Sequence, residues 1–124
     1  MKPSMLIVDD VSIIRHSLTE FFSRDYTVYQ ASNGRDAIKM LGENKDIELV
    51  LSDVKMPEMD GMELLEKIRS ENSDLIVILM TAYCADELEA DAKKRGAYCC
   101  LSKPFDLNEL GITIKNALLE KKVH

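Results

Sequence analysis

The sequence predicts a doubly wound α/β sandwich, a parallel sheet covered by helices on both faces. Short aliphatic runs recur along the chain at residues 5–8 (MLIV), 48–52 (ELVLS), 75–80 (LIVILM) and 97–102 (AYCCLS), with a weaker alternating segment at 27–31 (TVYQA). Near-continuous apolar runs imply strands buried on both faces, as in a helix-covered parallel sheet. Between them lie stretches of helical period. The two kinds alternate five times, which predicts five strand–helix pairs joined by right-handed crossovers.

Taken in order, each helical stretch shows a core-facing stripe. Residues 11–24 place Ile14, Leu18, Phe21 and Phe22 on one side, and residues 34–44 do the same with Ala37, Ile38 and Leu41. In residues 61–72 the stripe is Met62, Leu65 and Ile68. Residues 86–96 carry a weaker one, Leu88, Ala92 and Arg95, with Gly96 placed as a C-terminal stop. Residues 107–122 close the pattern with Leu107, Leu110, Ile114, Ala117 and Leu118, Gly111 being a mild interruption. No linker is left over, so residues 1–124 read as one domain with no appended output domain.

Composition narrows the function. The 124 residues are 46% hydrophobic and 31% charged, an ordinary globular balance. Sixteen basic residues against 22 acidic ones give a formal charge of -6, which argues against a nucleic-acid backbone as partner. The four-residue apolar run near the N-terminus is too short for a secretion signal or a membrane span, so a cytoplasmic location is expected. Three cysteines, Cys84, Cys99 and Cys100, fit reduced thiols better than a disulfide framework. Adjacent α-carbons lie only about 3.8 Å apart, short of the 4.4–6.8 Å (roughly) that a disulfide prefers. On a strand, Cys99 and Cys100 would also face opposite ways and share no metal. His16 and His124 supply no ligand spacing either, and His16 reads as a solvated residue on the polar side of the first helix.

In a doubly wound sheet, ligands bind beyond the carboxyl ends of the strands. Strand one ends in Asp9–Asp10, strand three in Asp53, strand four in Thr81, and strand five is followed by Lys103–Pro104. Two unit charges about 4 Å apart repel by roughly 4 kcal/mol at an effective dielectric near 20, so three carboxylates on one rim call for a cation. Hard oxygen ligands without histidine or thiolate suit Mg2+, which also bridges to phosphate oxygens. A carboxylate nucleophile, Mg2+, a lysine and a hydroxyl together suit acceptance of a phosphoryl group, a reaction that needs positioning and charge neutralisation. Asp53 stands alone at the end of its strand, and Pro57 with Asp60–Gly61 swings the chain into the next helix.

The stretches LIVDD, LSDVKMPEMDG, ILMTAY and GAYCCLSKPF, at these separations, resemble the receiver domain of two-component response regulators. The resemblance spans essentially the whole chain. It implies a flavodoxin-like sheet of order 2-1-3-4-5 and phosphorylation of Asp53 by a sensor histidine kinase or a histidine phosphotransfer protein. It also implies that one Mg2+ is bound by Asp10, Asp53 and the backbone carbonyl of Lys55, with Asp9 acting mainly through water. Thr81, Lys103 and the backbone N–H of Ala82 would contact the phosphoryl oxygens, and the Lys103–Pro104 peptide would be cis.

Three positions depart from the family's habits. Lys55 and Tyr83, two residues past Asp53 and Thr81, flank the path of the hydrolytic water, which predicts slow autodephosphorylation. Three residues before Lys103 the family usually carries an aromatic ring or a histidine that swings inward on activation; here that position is Cys100. Alternation along the strand places Tyr98 on the same face, where it would partly cover the same surface. Val11 and Ile13, at the edge of the first helical stripe, offer apolar surface to a docking helix. A chain of this extent would signal by binding an unidentified downstream protein, as a phosphorelay intermediate or as a chemotaxis-type diffusible messenger.

Rival functions fare worse. An aspartyl-phosphate phosphatase would need a second acid two residues after Asp53, where Lys55 stands, and it would act as an enzyme on an external substrate. Dinucleotide binding would need a glycine-rich turn after strand one, where Asp9–Asp10 stand.

Overall fold

The computed structural model describes residues 2–72 and 74–123; His124 lies outside them. The elements run β1 (Ser4–Val8), α1 (Ser12–Phe22), β2 (Thr27–Ala31), α2 (Gly34–Glu43), β3 (Ile47–Asp53), α3 (Gly61–Glu71), β4 (Ile76–Thr81), α4 (Asp86–Lys94), β5 (Cys99–Ser102) and α5 (Leu107–Val123). All strands pair in parallel, in the order β2-β1-β3-β4-β5. The predicted fold and strand order are those observed.

Period-two alternation divides the core between the two sheet faces. Leu6, Val8, Val50, Val77 and Leu79 pack with residues of α2, α3 and α4, among them Ala37, Leu64, Leu65, Ile68 and Ala92. On the other face Met5, Ile7, Leu49, Leu51, Ile78 and Met80 meet α1 and α5 through Leu18, Phe22, Leu110 and Ile114. Each such side chain, buried, contributes about 1.5–3 kcal/mol over its exposed form. β1 and β4 are buried along their full length, and β2, on the edge, is not.

Some boundaries and stripes differ from expectation. β3 and β4 each run one residue further than the apolar runs suggest, so Asp53 and Thr81 are the last residues inside their strands. β5 begins at Cys99, because Ala97 and Tyr98 precede the ladder. Arg95 is not part of the α4 stripe: it is exposed and pairs with Glu66 and Asp91, an arrangement open to a long charged side chain at a helix end. Leu64, unremarked in the sequence, is fully buried beside Leu65.

Local chemistry fixes the start of α3. The Asp60 carboxylate accepts the Glu63 N–H at 2.9 Å, and the Glu63 carboxylate accepts the Asp60 N–H at 3.3 Å, closing a capping box. Gly61 then passes so near β3 that a methyl group there would collide with the Asp53 carbonyl oxygen and stand 2.9 Å from Val54 Cα. The helix is thereby seated directly on the strand end that bears Asp53.

Candidate functional site

The carboxyl ends of β1, β3, β4 and β5 bring the acids and the lysine together. One carboxylate oxygen from each of Asp9, Asp10 and Asp53 lies within 4.8 Å of the others. Asp9 is completely buried, Asp53 is 8% exposed, and Asp10 faces solvent. The Lys103 ammonium reaches in from β5, with Nζ 3.3 Å from Asp9 Oδ2 and 3.4 Å from Asp53 Oδ2. Burial, first of all, raises the Asp53 carboxyl above its ordinary value; Lys103 opposes this, and the Asp9 charge adds to it. The Lys55 backbone N–H, hydrogen-bonded to the same carboxylate, favours its charged form.

Asp9 is held from several sides. Its Oδ1 accepts the Val11 N–H at 2.9 Å, its backbone N–H donates to Ala31 at 3.2 Å, and its carbonyl accepts Arg15 Nη1 at 2.8 Å. Arg15 Nε in turn donates to Gln30 Oε1. Arg15 was not singled out in the sequence; its only signal is a polar residue one turn after the paired acids, on the side of α1 that faces β2.

On β4 the buried Thr81 pairs in register with Ser102, and its carbonyl accepts the Lys103 N–H at 2.7 Å. Thr81 and Lys103 are therefore fixed relative to one another through backbone alone. Ala82 is exposed directly after Thr81. The Lys103–Pro104 peptide is cis. Lys55 is exposed, and Tyr83 is 76% exposed with its ring in solvent.

Tyr98 does not share the face of Cys100. Tyr98 packs against the α1/α5 layer, whereas Cys100 is buried in the layer of α2, α3 and α4. Strand alternation holds only inside the ladder, and Tyr98 stands before its first residue. A hydrogen bond with the Glu120 carboxylate, ahead of burial, pushes the Tyr98 hydroxyl up to about 12. Cys99 and Cys100 do separate to opposite faces, and all three cysteines are unbridged. Burial pushes the Cys99 thiol up to about 11 and the Cys100 thiol up to about 12, the latter also through its contact with the Cys84 thiol. Such thiols stay protonated at neutral pH and are poor metal ligands.

The donor set at the acidic end is three carboxylates with no sulfur or imidazole, which fits a hard divalent cation such as Mg2+. Among the described residues this is the one cluster of three or more acidic, histidine or cysteine side chains close enough to hold a metal.

Comparison with known proteins agrees with this geometry. The family model described as "Response regulator receiver domain" matches residues 5–115. Sporulation initiation phosphotransferase F of Bacillus subtilis (strain 168) is 37% identical over 119 residues, 95% of this chain and 95% of that protein. Regulatory protein AtoC of Escherichia coli (strain K12) is 40% identical over 115 residues, but these are 92% of this chain and only 25% of AtoC. Among solved structures, a response regulator receiver domain protein from Clostridium thermocellum superposes with a TM-score of 0.90 at 31% identity over 97% of each chain. The CheX-CheY-BeF3-Mg complex from Borrelia burgdorferi gives 0.87 at 27% identity, covering 93% of this chain and 88% of that one. The fold and its acidic strand-end site thus define a signalling domain of the phosphoacceptor class. The chain belongs to the response regulator receiver family of two-component systems. No helix among the described residues is long and apolar enough to cross a membrane.

Proposed function

We propose that residues 1–124 act as a single receiver unit in which Asp53 accepts a phosphoryl group from the phosphohistidine of a sensor histidine kinase or a histidine phosphotransfer protein. The observation that carries this reading is the Lys103 ammonium held between buried Asp9 and Asp53, with three carboxylate oxygens within 4.8 Å. An Asp53 carboxylate oxygen forms the new P–O bond as the P–N bond to imidazole breaks, and the imidazole nitrogen regains a proton. Lys103, the Thr81 hydroxyl and the Ala82 N–H receive the phosphoryl oxygens. Asp10, Asp53 and the Lys55 carbonyl would hold Mg2+ directly, and Asp9 through water. When bound, the ion would neutralise negative charge on the Asp53 carboxylate and on the phosphoryl oxygens.

The reading is tested by loading the chain with phosphoramidate and Mg2+ and measuring acid-labile phosphate. Asp53→Asn should abolish labelling while circular dichroism shows an intact fold; a variant labelled at the normal rate overturns it.

Output through a separate downstream protein, by onward phosphotransfer or by phosphorylation-dependent binding, is supported by the 95% mutual coverage with a relative named as a phosphotransferase. Val11 and Ile13, 44% and 76% exposed at the start of α1, border the acidic cluster and suit contact with a helix bearing the donor histidine. Ile13→Ala should slow phosphoryl transfer from a histidine phosphotransfer protein and leave labelling by phosphoramidate unchanged.

A further inference from the structure

The loop from β4 to α4 follows Thr81, the last residue of β4, and carries Ala82, so its placement sets where the Ala82 N–H stands beside the Thr81 hydroxyl. Very little holds it. Ala82 and Tyr83 are exposed, Cys84 is half-buried, and α4 begins without a side-chain cap. Among the described residues, one hydrogen bond ties the backbone of residues 82–84 to the rest of the chain: the Cys84 N–H donates to Ser102 Oγ at 2.8 Å. Ser102 is the last residue of β5 and the neighbour of Lys103. Its strand partner is Thr81, whose carbonyl accepts the Lys103 N–H at 2.7 Å.

These two bonds form a clasp. The first, backbone to backbone, spaces Lys103 from Thr81 and is available to any sequence. The second depends on a hydroxyl at residue 102, and it extends the same spacing three residues into the loop. Cys84 also packs against the core layer that holds Cys100, two residues further back on β5. Nothing else in the fold requires a serine at this exposed strand end, since its hydroxyl points at the loop and not into the core.

We infer that Ser102 is a positioning residue for phosphoryl transfer, its hydroxyl anchoring the loop of residues 82–84 so that the Ala82 N–H keeps a fixed place around Asp53 beside the Thr81 hydroxyl and the Lys103 ammonium, which the backbone already holds. This rests on the acceptor reading given above. Ser102 touches neither metal nor phosphoryl group. It acts by reducing the freedom of a loop that must be aligned when the P–O bond forms, the kind of contribution that preorganisation makes.

The test compares wild type, Ser102→Ala and Ser102→Thr as full chains. Threonine keeps the hydroxyl and suits a strand. Initial rates of acid-labile labelling by phosphoramidate are measured at saturating Mg2+, alongside Mg2+ affinity by titration and melting temperature. Losing one ordinary hydrogen bond should slow labelling of Ser102→Ala about five- to tenfold. Mg2+ affinity should stay near wild type, because the three carboxylates are untouched, the melting temperature of Ser102→Ala should fall by no more than about 5 °C, and Ser102→Thr should restore the rate. The inference is overturned if Ser102→Ala labels at the wild-type rate or faster, if Ser102→Thr is as slow as the alanine variant, or if Mg2+ affinity falls in parallel with the rate. Absence of labelling in wild type itself would sink the acceptor reading instead, and is thereby told apart.

Discussion

Replacing Asp53 by asparagine should stabilise the metal-free protein at neutral pH. The Asp9 carboxylate, within 4.8 Å, repels a charged Asp53 by at least about 3.5 kcal/mol at an effective dielectric of 20. Solvent-exposed Asp10 adds about 0.9 kcal/mol at the dielectric of water, and Lys103 at 3.4 Å returns about 4.9 kcal/mol of attraction. The charge–charge sum is thus within about 0.5 kcal/mol of zero. What remains is the desolvation of the carboxylate, several kcal/mol for a fully buried ion and discounted here to about 1–2 kcal/mol because the side chain borders solvent at the strand end, consistent with burial as the leading cause of its raised pKa. Asparagine removes that penalty, so Asp53→Asn should melt about 5 °C higher in EDTA at pH 7. The sign with pH follows from proton binding. With the folded value raised above 3.8, the native state binds more protons than the unfolded one between the two values. Wild-type stability therefore falls as pH rises through that window, and the gap to the variant opens. Below the ordinary carboxylate range the gap should vanish. Excess Mg2+ should narrow or invert it at pH 7, since the ion binds the native wild type more tightly. Melting curves by far-ultraviolet circular dichroism decide the matter. A variant no more stable than wild type in EDTA at pH 7, or a gap that does not close in acid, refutes the reasoning.

Lys103→Met removes the cation between Asp9 and Asp53 and should lower stability by about 2 kcal/mol at pH 7, a value reduced from that of a fully buried pair because the lysine retains some solvent; urea titration at pH 7 should show more of this loss than the same titration at pH 5. Gly61→Ala forces a methyl group into the Asp53 carbonyl and should cost about 3 kcal/mol together with most of the phosphoramidate labelling, whereas Gly42→Ala, with open space around it, should label normally. Tyr83→Ala should speed decay of acid-labile phosphate several-fold if the ring, now in solvent, closes over the phosphorylated site; equal decay rates would remove Tyr83 from any shielding role.

Much of the fold is legible in the sequence because the three central strands have no polar face to misread. Residues 5–8, 49–51 and 75–80 are apolar in succession, and all are buried. Strand ends are less legible, since Asp53 and Thr81 are polar residues that continue the ladder only because their partners Met80 and Ser102 are there to meet them. The acidic site follows from topology: once the order of strands is granted, Asp9, Asp10, Asp53 and Lys103 have one rim to share. Its supports do not follow. Arg15 on the Asp9 carbonyl and Ser102 on the Cys84 N–H are side-chain-to-backbone bonds, set by local loop paths that no periodicity encodes. The turn after Asp53 shows the same limit. Its left-handed residue is Glu58, at φ 68°, not the glycine three positions later.

One of this receiver's departures from the family's habits lies in the fifth strand, and the structure sharpens its consequence. Three residues before the lysine, where the resemblance to the family leads one to expect an aromatic ring or a histidine that swings inward on activation, stands Cys100. Cys100 is 3% exposed in the layer of α2, α3 and α4, and a thiol is too small to sweep through the volume of a ring. Tyr98 cannot replace it, because its ring belongs to the opposite layer. On the reading proposed above, a displacement at Thr81 should instead pass to the loop that follows it, through Ala82 and Tyr83 to Cys84 and the Ser102 hydroxyl. Amide chemical shifts recorded with and without beryllofluoride and Mg2+ should therefore change most, outside the acidic cluster, at residues 81–84, and less at Cys99–Ser102. Largest changes at Tyr98 or Cys100 would show that the fifth strand moves as a switch despite lacking the ring, and would remove the loop from that role.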